Sequence, residues 1–201
     1  MKIKISDMTG KLKGIPAINT NPLSNEFCKT MNSQENNNII CSKCYSCSML
    51  KTYRKNCVPA FEKNSIILST DEIKEIPKIK KNNIVRINAH GELINDTHLN
   101  NLIKIIDANP NITFSLYTKR KDLISNKFDV EKKPSNLILV YSNPIIDTPI
   151  ETIEYLPYFD KVFNVCRDKY RDKINCGANN CNACRKCYDK GKENIIYEML
   201  K

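Results

Sequence analysis

Eight of the chain's ten cysteines fall into two tight groups, and no other feature limits its folding and chemistry as strongly. One group is Cys28, Cys41, Cys44 and Cys47; the other is Cys176, Cys181, Cys184 and Cys187. Cys57 and Cys166 stand alone. Thiols grouped this way either cross-link a small secreted scaffold or bind metal, and the redox compartment decides between the two. The opening Met1-Lys2-Ile3-Lys4-Ile5-Ser6-Asp7 lacks the apolar core of a signal peptide. No apolar run reaches the ~18 residues that cross a bilayer. The expectation is a cytoplasmic protein with no membrane partner, whose reduced thiols hold metal.

The second group, Cys176-x4-Cys181-x2-Cys184-x2-Cys187, packs four thiols into twelve residues with Gly177 beside the first. A zinc ribbon usually separates two Cys-x2-Cys knuckles by a longer hairpin-forming stretch. The shorter run is closer to ferredoxin-type spacing, in which successive thiolates cup an iron–sulfur cluster. An iron–sulfur centre is expected here, with zinc as the alternative occupant. It would relay electrons, anchor a substrate or simply staple the C-terminal segment.

The first group offers three thiols in Cys41-Ser42-Lys43-Cys44-Tyr45-Ser46-Cys47, with Cys28 as a fourth across the intervening loop. If three of them bind a [4Fe–4S] cubane, its fourth iron stays open to a ligand. Cys47 is then either a ligand or a spare thiol.

At 201 residues, 41% hydrophobic and 27% charged, the chain has the size and composition of one ordinary folded domain. Strands are expected around Gly14–Asn19 and over Ile84–Ala89, Ile112–Thr118, Asn136–Ser142 and Lys161–Cys166. The clearest helix opens at Asn95-Asp96, carries Leu99, Leu102, Ile103 and Ile106 on one face, and stops at Asn109-Pro110. Shorter helices are expected over Ser48–Lys55, with Cys57 on the apolar face, and over Glu151–Leu156. Another should open at a Ser69/Glu72 capping box. A terminal helix should carry Ile195, Ile196 and Leu200. Strands alternating with helices indicate parallel βαβ units. The fold class is therefore α/β, as a partial (β/α) barrel or an open parallel sheet of about five strands. Residues 1–170 form the core with the first cysteine loop, and 171–201 form a small cysteine-rich metal-binding segment.

Several expected strands end in polar residues: Asn88, His90, Gly91 and Glu92, then Thr118 and Lys119, then Ser142 and Asn143. Ligands of α/β sheets and barrels bind at the carboxyl ends of strands. The first cysteine loop also follows a strand, so thiols and polar groups should share one end of the sheet.

An open-iron cubane with an aromatic residue beside its cysteines is the arrangement of radical S-adenosylmethionine enzymes, although the usual Cys-x3-Cys-x2-Cys spacing is absent. Arg86-Ile-Asn-Ala-His90-Gly91-Glu92-Leu93 resembles their Gly-Gly-Glu element, which binds the cofactor's amino group, with His90 in place of the first Gly. The expected fifth strand, Val162–Cys166, lacks a Gly-rich adenine-contact pattern. The stretches Lys13-Gly-Ile-Pro-Ala-Ile-Asn-Thr-Asn-Pro, Phe114-Ser-Leu-Tyr-Thr-Lys-Arg, Tyr141-Ser-Asn-Pro and Cys187-Tyr188 complete a pattern. From about residue 10 onward the chain resembles the phage and mobile-element family called gene product eighty-eight. That resemblance implies an iron–sulfur protein similar to reduced radical S-adenosylmethionine folds, with Cys28, Cys41 and Cys44 as first-cluster ligands. The leading functional expectation is a radical S-adenosylmethionine-like enzyme in which Asn88, His90, Gly91 and Glu92 hold the cofactor and Thr118, Lys119, Ser142 and Asn143 line its pocket. Reduction by an electron donor would cleave the cofactor to a 5′-deoxyadenosyl radical, and a second, auxiliary [4Fe–4S] cluster would relay electrons or bind substrate. A member that binds a cluster without cleaving the cofactor is the other form of the same reading.

The formal charge of +10 points to a different function. A basic surface with Lys119-Arg120-Lys121 and aromatic rings fits a metal-stapled, non-enzymatic module that binds nucleic acid or a host protein. Bound clusters lower that charge, and solvated lysines explain it equally well.

Overall fold

Strand-length apolar runs separated by helices lay down one sheet in chain order. The computed structural model describes residues 2–79 and 83–200. Its strands are β1 (Ile5–Asp7), β2 (Pro16–Ile18), β3 (Ile84–Ile87), β4 (Thr113–Thr118), β5 (Leu137–Ser142), β6 (Lys161–Cys166) and β7 (Ile195–Met199). They are hydrogen-bonded in the order β1-β2-β3-β4-β5-β6-β7. β1 runs antiparallel to β2, and every other pair is parallel. The sheet is open, so the partial-barrel alternative resolves to a mixed α/β sheet with two free edges.

The helices are α1 (Glu26–Asn32), α2 (Tyr45–Lys51), α3 (Val58–Ser69), α4 (Asp96–Asp107), α5 (Lys121–Phe128) and α6 (Cys181–Cys184). α4 matches its sequence pattern, and its N-cap Asn95 accepts from the backbone N–H of His98 at 2.9 Å. Leu68 of α3, Leu102 and Ile106 of α4, and Leu123 of α5 belong to one core with Ile87, Leu116 and Leu139 of the sheet. Because side chains alternate along a strand, Arg86, Tyr117, Ile138, Val140 and Phe163 point to the other face. There Tyr117, Ile138 and Val140 pack with Phe163 and Cys187. One face of the sheet is thus sealed by helices, and the other receives the C-terminal cysteines.

Several expectations fail for identifiable reasons. Seven strands replace about five, because β1 is only three residues long and the terminal helix is a strand. β7 pairs with β6 from Val162↔Ile195 to Cys166↔Met199, and its Ile-Ile-Tyr run has the β-branched and aromatic residues that strands favour. The Ser69/Glu72 capping box opens no helix: Ser69 is the last residue of α3, and Glu72 pairs with Lys104 of α4. No helix forms over 151–156, which is turn and bend. The Ser48–Lys55 helix begins earlier and ends earlier, as α2, so Cys57 is not on its apolar face; it closes a separate turn before α3 and is half-buried against the Phe61 cluster. α1, α3, α5 and α6 have no counterpart among the expected helices. No helix among the described residues is long and apolar enough to cross a membrane.

Candidate metal centres

The β2–β3 connection carries the first cysteine group across the carboxyl end of the sheet. Asn25 caps α1, its side-chain oxygen accepting from the Cys28 N–H at 3.3 Å, which fixes Cys28 in the first turn. Asn32, at the other end of α1, donates to the Cys41 carbonyl at 2.8 Å. Cys44 then sits immediately before α2. Cys28, Cys41 and Cys44 are brought near one another, near Glu92, and near Lys119 just beyond β4.

Burial pushes the Cys28 thiol up, and Glu92, Cys44 and Cys41 push it further. Burial also raises Cys41, against the pull of Lys119. Cys44 differs: a hydrogen bond from the Cys47 thiol lowers it, against the effect of burial, and the backbone N–H groups of Cys47 and Ser46 lower it further. Cys47 is buried and is pushed up by serving as that donor. The four thiols are therefore not equivalent.

Lys119 is half-buried, and its Nζ donates to Ser142 Oγ at 3.2 Å. Burial lowers its pKa, but Cys41, Glu92, Cys28 and Cys44 together outweigh that, the thiols contributing in their ionised form. The basic run is not a free patch. Arg120 is ion-paired with Asp122 at 2.6 Å, and Lys121 lies 5.2 Å from the Tyr141 ring centroid.

The remaining strand-end residues divide into struts and open groups. Glu92 Oε1 accepts from Thr118 Oγ1 at 2.6 Å and from Leu93 N at 2.8 Å, while Oε2 accepts from Lys119 N at 2.9 Å. Its carbonyl accepts from Asn25 Nδ2 at 3.1 Å and Thr20 Oγ1 at 3.3 Å. Glu92 thereby ties β3, β4 and α1 together. Gly91 has φ +91°, and a Cβ there would fall 2.2 Å from Thr20 Oγ1 and 2.5 Å from Thr20 O. The close backbone approach that glycine permits is made to the chain itself. Asn143 is consumed by its own loop, donating to Thr148 O at 2.8 Å and Asn164 Oδ1 at 2.9 Å and accepting from Ile145 N. Asn88, in a left-handed conformation (φ 58°), donates to Tyr117 O at 3.2 Å, and its buried Oδ1 has no partner among the described residues. His90 Nδ1 is 2.8 Å from Ser46 Oγ, and its ring stacks on Phe61 at 5.7 Å. Burial, aided by Arg86 and Arg54, lowers its pKa to about 4, so it is neutral near pH 7.

The second group is assembled locally. Asn180 caps α6 by accepting from the N–H groups of Asn182 at 2.8 Å and Ala183 at 3.2 Å, which orients Cys181 and Cys184. Arg185 then takes φ +56°, turning the chain so that Cys187 returns to the sheet. Cys187 lies within electrostatic reach of Cys176, Cys181 and Cys184. Burial raises its thiol, while the Tyr117 hydroxyl, donating to it, and Arg86 pull the other way. Lys11 donates to Cys176 Sγ at 3.5 Å and to Glu198 at 2.9 Å, and its pKa reaches about 12: burial opposes the rise, and Glu198 drives it. Arg86 lies over the Tyr117 ring, 3.0 Å from its centroid. Arg86 and Tyr188 lie close enough to interact, although Arg86 Nε and Tyr188 Oη are buried with no well-formed hydrogen bond among the described residues.

Among the described residues, no three His, Cys, Asp or Glu side chains converge on a point that would hold a single metal ion. A cluster bonds each thiolate to a different iron, so its ligands ring a volume instead of converging. Sequence reading missed Asn25, Lys11, Arg86 and Tyr117. Only Asn25 carried a local signal, an N-cap residue three positions before a cysteine.

A cavity of about 970 Å³ lies between the two regions. Arg86, Tyr117 and Phe163 of the sheet face form part of its wall, as do Tyr45, Phe61 and His90. Cys176, Cys181 and Cys187 also border it. No curated protein and no solved structure matches the chain. Residues 5–185 match the model of the family described as Gene product 88, and the chain belongs to that family.

Proposed function

We propose that the chain is an iron–sulfur protein with two centres, the first similar to that of radical S-adenosylmethionine enzymes and the second auxiliary. The observation that carries this reading is the half-buried Lys119 ammonium beside three thiols, Cys28, Cys41 and Cys44, with Cys47 hydrogen-bonded to Cys44. A partly buried ammonium among thiols is stable when they are ionised, the state in which thiols bind metal. Three ligands and one hydrogen-bonding neighbour match a cubane with one open iron.

The chain's donor set fits such a group. Cys28, Cys41 and Cys44 would hold the first cluster; Cys176, Cys181, Cys184 and Cys187 would hold the second. Bound there, an open-iron cluster supplies low-potential electrons and a coordination site for the amino and carboxylate groups of S-adenosylmethionine. Of the residues assigned to that cofactor, Asn88 and Lys119 keep spare capacity. The unpartnered Asn88 Oδ1 accepts from an ammonium, and Lys119 Nζ has donors left for a carboxylate. Ser142 positions Lys119. Glu92, Gly91, Thr118, His90 and Asn143 hold the strand ends in place. At the second centre Lys11, Arg86 and the Tyr117 hydroxyl offset thiolate charge.

Anaerobic purification, followed by iron, sulfide and zinc analysis and electron paramagnetic resonance with and without S-adenosylmethionine, tests the reading. The expected result is about eight iron per chain and one reduced-cluster signal that changes when the cofactor is added. Zinc at both centres with no iron refutes it.

A further inference from the structure

Three polar groups gather on the sheet face beneath the C-terminal cysteines, and their buried atoms lack an acceptor among the described residues. Ser115 of β4 is paired with Arg86 of β3, and Tyr117 is the next residue of β4 to point the same way. All of them therefore lie on the face that receives Cys187. Tyr188 packs with Ile84, Cys181 and Cys187 over the same region. Tyr117 is satisfied, since its hydroxyl donates to Cys187. Ser115 Oγ, Tyr188 Oη and Arg86 Nε are not: each atom is buried with no well-formed hydrogen bond among the described residues. Ser115 is 0% exposed and Tyr188 5%. Leaving a buried donor unpaired costs more than an ordinary hydrogen bond contributes, so several in one place mark a missing acceptor.

That acceptor is not a thiol of this chain. Cys187 already takes the Tyr117 hydroxyl, and Cys176 takes Lys11. Among the described residues, no thiol is within bonding reach of the three unpaired atoms. A zinc ion would bring no acceptor either, because its four ligands are the thiolates themselves. An iron–sulfur cluster brings inorganic sulfides, and hydrogen bonds to its sulfurs help set its potential. The donors suit that acceptor. Arg86 supplies a charged N–H, and Tyr188, a neighbour of both Arg86 and Cys187, supplies an O–H.

We propose that Arg86, Ser115 and Tyr188 donate to the sulfides of an iron–sulfur cluster at the C-terminal centre and raise its reduction potential. The proposal rests on the iron–sulfur reading above and deepens it. The sheet face, and not the cysteine run alone, favours a cluster over zinc and stabilises its reduced state.

Redox titration of the anaerobically purified protein, followed by electron paramagnetic resonance, tests it, with iron and zinc measured on the same samples. Tyr188→Phe and Ser115→Ala each remove one oxygen and keep the shape of the packing. Each should retain the iron of both centres and shift the reduction equilibrium of the second about fivefold toward the oxidised form. At about 59 mV per tenfold for one electron, that is a fall of about 40 mV. Arg86→Met should shift it about tenfold or more, and the two hydroxyl variants decide the matter if Arg86→Met fails to fold. The first-centre potential should not move. In protein stripped of iron, the hydroxyl variants should unfold at the same urea concentration as the parent or a higher one, since each has lost an unsatisfied group. Iron at both centres with a second-centre potential that neither hydroxyl variant moves overturns the proposal and leaves the iron–sulfur reading standing; lower unfolding midpoints in the same variants would then assign the hydroxyls to packing. Zinc in place of iron at the C-terminal centre overturns the proposal together with that half of the reading.

Discussion

At the N-terminal group three thiols share the neighbourhood of one ammonium, Lys119, and the fourth thiol donates a hydrogen bond to one of them. At the C-terminal group all four thiols are near one another, with Lys11, Arg86 and the Tyr117 hydroxyl around them. The first is built by the fold: its thiols come from α1, the turn before α2, and the residue capping α2, and they meet residues from the ends of β3 and β4. The second is built by twelve consecutive residues, shaped by the Asn180 cap and the left-handed Arg185, then laid on a finished sheet face. The difference matches the roles proposed for them. A centre assembled across several strand ends places a reactive iron against pocket residues from all of them, whereas a locally wrapped centre keeps its own ligands regardless of the pocket.

The strongest test of that independence removes one ligand from each group. Cys187→Ser should lose the C-terminal centre, about four iron per chain, while the signal that responds to S-adenosylmethionine remains. Cys41→Ser should do the reverse. Loss of both centres in either variant, followed by iron analysis and electron paramagnetic resonance, would show that the two depend on each other and would remove the contrast drawn above.

A smaller effect sharpens the claim that the first centre depends on the fold. Gly91→Ala puts a Cβ into Thr20 at a residue with φ +91°, so strain and overlap add. Denaturant unfolding of the metal-free protein should show a loss of about 3 kcal/mol. Gly177→Ala, in the C-terminal run, meets nothing within 4 Å and should change stability by less than about 0.5 kcal/mol. Equal losses at the two glycines would break the comparison.

The same contrast governs what could be read from sequence. The C-terminal group was legible as a metal-ligand run because its ligands are neighbours in sequence. The parallel α/β class and α4 were legible because strand alternation and a 3.6-residue apolar period are local signals. β7 was misread because Ile195 and Ile196 suit either element in isolation, and only the open edge of β6 decides for a strand. Glu92, Thr118 and Lys119 were recognised as strand-end residues. That the Glu92 carboxylate would join three elements required knowing which strand ends lie side by side. Arg86 and Tyr117 read as ordinary strand residues, yet their shared face receives Cys187, a contact spanning about half the chain.

The smallest predicted effect concerns Cys47, the thiol whose role the sequence left open. If it acts as a donor to Cys44 and not as a ligand, Cys47→Ala keeps the iron of the first centre, and only a hydrogen bond to a ligand sulfur is lost. Such donors stabilise the more negative, reduced state of a cluster, so their removal lowers the reduction potential. One neutral hydrogen bond corresponds to about 1 kcal/mol, or roughly 40 mV for a one-electron couple, as an upper limit. Cys47→Ser retains a donor and should restore most of that shift. Redox titration of the first-centre signal distinguishes the cases. A modest fall in Cys47→Ala that is reversed in Cys47→Ser identifies a hydrogen-bond donor. Loss of the first-centre iron in both variants identifies a fourth ligand, which would close the open iron and make the N-terminal group chemically equivalent to the C-terminal one.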